Sequence, residues 1–187
     1  MVLAFLELGA EVGSLAAQGE GVEHAFADLE TPPGPIELAG HVLDAQALAG
    51  VYAGRDDQPL WSQGSRLRPE ASALLAALAE APSHGLDPAA YFTAAIRERL
   101  SERSPDARAE LDLLLSAALV RYVADLGAGR SDPTTLGDAL LPSPTRADAA
   151  TVLGRVFDGP GLEAVMRDAP PYHPEYHRLR RALARYR

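Results

Sequence analysis

The 187-residue chain has no cysteine, which excludes a thiolate nucleophile, a Cys-ligated zinc site and any disulfide framework. Basic charge is missing from one end. Met1 to Gly54 carries eight acids (Glu7, Glu11, Glu20, Glu23, Asp28, Glu30, Glu37 and Asp44) and no base, and all 17 arginines lie from Arg55 onward. The formal net charge of −9 has the wrong sign for a nucleic-acid-binding domain, whose affinity comes largely from releasing counterions from phosphate. Ile36 and Ile96 are the only isoleucines. With Ala and Leu abundant and β-branched residues scarce, helices are favoured and strands disfavoured. No stretch approaches the roughly 20 apolar residues of a membrane span. Val2 to Leu6 is a five-residue apolar run closed by Glu7, with no basic region before it, so it lacks both marks of a signal peptide.

A 19.8 kDa chain that is 47% hydrophobic suits one domain. At that mass folding buries roughly 70% of the unfolded surface, enough for a core without staples. Thr31-Pro32-Pro33-Gly34-Pro35 is a stiff, extended break, so the expected organisation is a weakly helical or flexible leader over 1–35 and a helical domain over 36–187. At the far end Arg167, Arg178, Arg180, Arg181, Arg185 and Arg187 face only Asp168 and Glu175, a local +4. The plain reading of such an end is a solvated face or a junction to a following domain.

Helix signals follow one another after the break. Asp44 caps a helix running to Gly54, with Leu48, Val51 and Tyr52 on one face. Arg55 to Pro59 is a turn, and Leu60-Trp61 returns to the core. Pro69 opens a helix carrying Leu74, Leu75 and Leu78, stopped at Pro82. Asp87-Pro88 starts another with Tyr91, Phe92, Ala95, Ile96 and Leu100, and Ser104-Pro105 starts the longest, to about Leu126. Gly127 and Gly129 are expected to end that helix through a left-handed cap. A loop then runs to Pro144, Thr145 caps a helix to about Asp158, Gly161 to Asp168 is a short helix, and Pro174 opens the last. Along its side lie Tyr176, Leu179, Leu183 and Tyr186. The expected fold is all-α, an irregular or orthogonal bundle of six or seven helices.

A search for chemistry yields little. His173 and His177 have the four-residue spacing of zinc ligands on a helix, yet Pro174 leaves His173 at a capping position and no His-Glu-x-x-His occurs. Surface histidines are the ordinary reading, so no metal and no cofactor is expected. There is no Gly-x-Ser-x-Gly for a serine nucleophile. Glu70, Glu80, Asp112, Asp125 and Asp132 are plentiful acids, but their spacing selects no catalytic pair. Gly127 to Arg130 follows a helix rather than a strand, so it is no phosphate cradle. Trp61, Tyr52, Tyr91, Tyr122, Tyr176 and Tyr186 read as core and boundary anchors in preference to a sugar-stacking platform.

Four segments in order carry a family likeness: Leu48 to Trp61, Ala81 to Tyr91, Glu110 to Pro133, and Tyr176 to Arg187. The most specific parts are His84-Gly85-Leu86-Asp87-Pro88 with Tyr91, then Gly129-Arg130-Ser131-Asp132-Pro133. Over Ile36 to Arg187, 152 of 187 residues, the chain resembles the scaffold domain of large bacterial murein L,D-transpeptidases. The resemblance implies a helical, non-catalytic, periplasmic domain next to a peptidoglycan-binding module and a catalytic module. That catalytic module uses a cysteine to pass an acyl group between stem peptides, making 3-3 cross-links. With no cysteine, this chain does not carry that reaction itself. Its implied partners are the catalytic module in cis and peptidoglycan. The missing signal peptide is at odds with a periplasmic setting, and a fragment of a longer protein or a misassigned start reconciles them.

His84, Gly85, Asp87, Gly129, Arg130 and Asp132 are expected to fix loops, through glycine's unusual φ, aspartate caps and the guanidinium fork, and not to catalyse. Tyr52, Trp61, Leu86, Pro88, Tyr91 and Pro133 complete the structural motif. The alternative to a scaffold domain is a stand-alone helical adaptor or peptidoglycan-binding protein without enzyme activity.

Overall fold

The fold is organised by one helix. In the computed structural model, which describes residues 36–38, 41–43, 45–55, 58–64, 66–129 and 148–187, α4 runs from Pro105 to Ala128. Its 24 residues span about 36 Å, enough to cross the domain. Ser104 caps it by accepting from the Ala107 amide at 3.2 Å, and Pro105 stands at the first position, where a missing N–H costs nothing. Leu111, Leu113, Leu114, Leu115, Ala118, Leu119, Tyr122 and Leu126 are all buried, so the helix is apolar around most of its girth and other helices surround it. These are α1 (Ala45–Ala53), α2 (Pro69–Ala79), α3 (Thr93–Ser101) and α5 (Ala149–Phe157), with α6 (Leu162–Asp168) against α2 and α5. The last helix, α7 (Pro174–Tyr186), packs on the 3-10 turn Ala81–His84. The seven helices among the described residues make an all-α bundle.

Two departures from a purely helical reading stand out. Short antiparallel pairs occur, β1 (Ile36–Leu38) with β2 (His41–Leu43) and β3 (Ser62–Gln63) with β4 (Arg66–Leu67). They are hairpins too brief for composition to reveal, and Gly64 at φ +58° makes the tight reversal of the second. The segment after Asp87 is also not one helix. A 3-10 turn over Pro88–Tyr91 ends at Phe92, whose φ of 56° is the left-handed region, and α3 begins at Thr93. Burial of the Phe92 ring, with the Arg121 guanidinium 5.7 Å from its centroid, holds a backbone conformation that a bulky residue seldom adopts.

The caps at the other ends differ in detail. Asp148, and not Thr145, caps α5, accepting from the Thr151 amide at 3.0 Å. Gly127 lies within α4, where an added Cβ would stand 3.3 Å from the Ala169 carbonyl oxygen. Gly129 closes the helix at φ 76° and ψ 169°, a positive φ but not a left-handed helical cap. On α7, Tyr176 and Leu183 face the body, whereas Leu179 is 70% exposed and Tyr186 90%, so the apolar stripe expected there is split. The leader over 1–35, Asp44, the Asp56-Asp57 turn, the loop to Pro144, Thr145, and Arg130, Asp132 and Pro133 lie outside the described residues.

Candidate functional site

Tyr52 on α1 and Trp61 after it meet at the middle of α4, on Asp112 and Ser116. All four side chains are buried. The Tyr52 hydroxyl donates to Asp112 Oδ2 at 2.6 Å. The Leu60 amide donates to the same oxygen at 2.9 Å, and the Trp61 amide to Oδ1 at 2.8 Å. Trp61 Nε1 donates to Ser116 Oγ at 2.8 Å, and Ser116 Oγ lies 2.7 Å from Tyr52 Oη. Proton counting orders this chain. Indole N–H only donates and the single tyrosine proton goes to the carboxylate, so the serine hydroxyl donates to Tyr52 Oη. Among the described residues no buried side-chain polar atom is left without a partner.

Burial pushes the Asp112 carboxyl up to about 6, against the opposing pull of Tyr52 and of the Leu60 and Trp61 amides. Tyr52 is raised well above the usual phenol value by burial and by the adjacent Asp112. Protonating Asp112 reverses the chain: Asp112 then donates to Tyr52 and Tyr52 to Ser116. Both carboxylate oxygens accept from the Leu60-Trp61 backbone and so hold it to α4. The Trp61 ring closes the arrangement edge-on to Phe157 of α5, with centroids 5.0 Å apart. This is an anchoring node, chemically complete without a substrate.

The other motif residues lie at separate stations. Tyr91 donates to Asp125 Oδ2 at 3.0 Å and packs edge-on against Tyr122, centroids 5.0 Å apart. Tyr122 in turn donates to the Ala77 carbonyl at 3.1 Å, so one turn of α4 holds both α2 and the Pro88–Tyr91 turn. Asp87 caps that turn by accepting from the Ala89 amide at 3.0 Å. Gly85, at φ 78°, closes the preceding 3-10 turn, and Leu86 is partly buried against the core. His84 Nδ1 meets the Tyr176 hydroxyl, and Arg180 donates to Ser83 through Nε to the carbonyl at 3.2 Å and Nη2 to Oγ at 2.8 Å. Burial, with Arg180 nearby, holds His84 below the usual imidazole value. His173, at the N-cap of α7, and His177, on the helix, are both exposed, and no group of three His, Cys, Asp or Glu side chains suited to a metal occurs among the described residues.

Asp112 and Ser116 are the functional residues of the node that the sequence did not single out. The available signal was an acid inside the run Leu111-Asp112-Leu113-Leu114-Leu115, on the apolar girth of the longest helix.

A model of the Scaffold domain family matches residues 46–183, which spans α1 to most of α7 and includes every station described above. No curated protein and no solved structure matches the chain.

Proposed function

Because the chain belongs to the Scaffold domain family, we propose that it is the non-catalytic scaffold domain of an L,D-transpeptidase, positioning a catalytic and a peptidoglycan-binding module for cell-wall remodelling in the periplasm. The match over residues 46–183, consistent with the scaffold domain of L,D-transpeptidases, carries this reading. The lack of cysteine supports it, since acyl transfer through a thiolate must then belong to another module. A domain that positions others needs a rigid frame, and the polar stations along α4 are a means of making one. The test is calorimetry of the full chain against a separately produced catalytic module of the family. Saturable binding is expected, and a flat titration removes the reading.

A stand-alone adaptor or peptidoglycan-binding protein is the second reading, favoured by α7, which has no buried residue and exposes Leu179 and Tyr186. Sedimentation with purified sacculi separates the two: a chain that pellets with the wall without any module favours the second.

A further inference from the structure

The β3–β4 hairpin and the corner between α3 and α4 enclose a cleft that the anchoring node leaves unused. Its cavity is about 170 Å³, room for roughly six water-sized groups. Trp61 and Leu111 line its inner part. Four arginines line it against two acids, Glu102 and Asp112, in a chain whose net charge is −9. Two of the four are engaged. Arg99 bonds Glu110 through Nε and Glu102 Oε1 through Nη1 at 2.7 Å, and Arg108 Nη1 donates to the Gly64 carbonyl at 3.2 Å. Asp112 is occupied by the node, and Glu102 by Arg99.

The side chains of Arg66 and Arg103 have no hydrogen-bond or ion-pair partner among the described residues. Beside them stand Leu67 and Leu100, 40% and 37% exposed, two of the five large hydrophobic side chains exposed among the described residues. Guanidinium forks match a carboxylate in a bidentate way, and neighbouring leucines favour an aliphatic group attached to it. The cavity is too small for a long acyl tail, and Ser62 in its wall adds a hydroxyl suited to an amide.

We propose that this cleft binds the carboxylate end of a short peptide whose terminal residue has an aliphatic side chain. Arg66 and Arg103 hold the carboxylate, and Leu67 and Leu100 cover the side chain. The inference rests on the cleft alone and does not depend on the scaffold reading.

The probe is N-acetylleucine, titrated into the full chain and followed by calorimetry and amide chemical shifts. Acetate, inorganic phosphate and uncharged N-acetylleucinamide serve as comparisons. Millimolar, saturable binding of N-acetylleucine is expected, about tenfold tighter than acetate, since each buried methylene adds about fourfold, and about tenfold tighter than the amide, which lacks the charge the guanidinium groups pair with. Arg66→Gln with Arg103→Gln should abolish saturation without changing the melting temperature, because neither side chain has a partner to lose. Leu100→Ala should erase most of the preference over acetate while leaving acetate binding in place. Arg181→Gln with Arg185→Gln, which removes the same charge from α7, should leave binding unchanged. The proposal is overturned by no saturable binding, by phosphate or acetate binding as tightly as N-acetylleucine, or by equal losses from the α7 pair.

Discussion

The middle of α4 and the helix α7 are held to the protein by opposite means. At the middle of α4, Asp112 and Ser116 are buried, and their partners, which lie 51 to 64 residues away in the chain, are buried with them. α7 has no buried residue, and its attachments to the turn Ala81–His84 are exposed or half-buried: Tyr176 to His84, Arg180 to Ser83, and Arg187 Nη1 to the Pro82 carbonyl at 2.8 Å. Low-dielectric surroundings strengthen a satisfied polar bond and make an orphaned one costly, whereas exposed pairs contribute little. The same kinds of hydrogen bond therefore define the fold in one region and merely dock an element in the other.

The largest effect should come from breaking the node. Trp61→Ala or Asp112→Ala should destabilise the domain by about 3–5 kcal/mol, through a cavity in the first case and stranded amides and hydroxyl in the second, read as a lowered denaturation midpoint. A loss as small as that of an exposed substitution would contradict the node.

The pH dependence sharpens the contrast, because the two regions have opposite signs. Asp112 titrates near 6 in the fold and near 3.8 when unfolded, so the native state binds the extra proton between those values. Its contribution makes stability fall as pH rises from about 4 to about 6 and then level off, by up to about 3 kcal/mol. Subtracting the profile of Asp112→Asn from that of the wild type should isolate this slope. His84 is held below its unfolded value of 6.5, so its junction with Tyr176 weakens as pH falls below 6.5. Fluorescence or NMR signals from α7 should accordingly loosen at acid pH while the node tightens.

Smaller effects follow in order. Ser116→Ala removes the acceptor of Trp61 Nε1 and should cost about 1–2 kcal/mol in chemical denaturation. Asp87→Ala loses the cap of the Pro88–Tyr91 turn and should cost about 1 kcal/mol, and an unchanged midpoint would contradict that cap. Tyr176→Phe should alter the global midpoint by less than about 0.5 kcal/mol while speeding amide exchange in α7.

What the sequence made legible was local. Ser104-Pro105 and Asp87-Pro88 announce starts through chemistry within three residues, and α4 begins where its cap places it. Tyr52 and Trp61 were recognisable as motif positions, but their shared purpose was not. Asp112 looks in sequence like any other acid among many, since its partners are fixed only when Tyr52, Leu60 and Trp61 arrive from more than 50 residues upstream. Phe92 was hidden for a similar reason: only core packing makes its positive φ tolerable. On α7 the 3.6-residue period was legible, but which part of the stripe meets the body depended on where His84 and Ser83 stand.

Amide hydrogen exchange under native conditions compares the two regions most directly. The Leu60 and Trp61 amides, bonded to the Asp112 carboxylate, should exchange only through global or near-global unfolding, while the α7 amides exchange by local opening at least a hundredfold faster. Equal protection of α7 and the node, or fast exchange at Leu60 and Trp61, would contradict the account that the buried Asp112 node, and not the C-terminal helix, holds the fold.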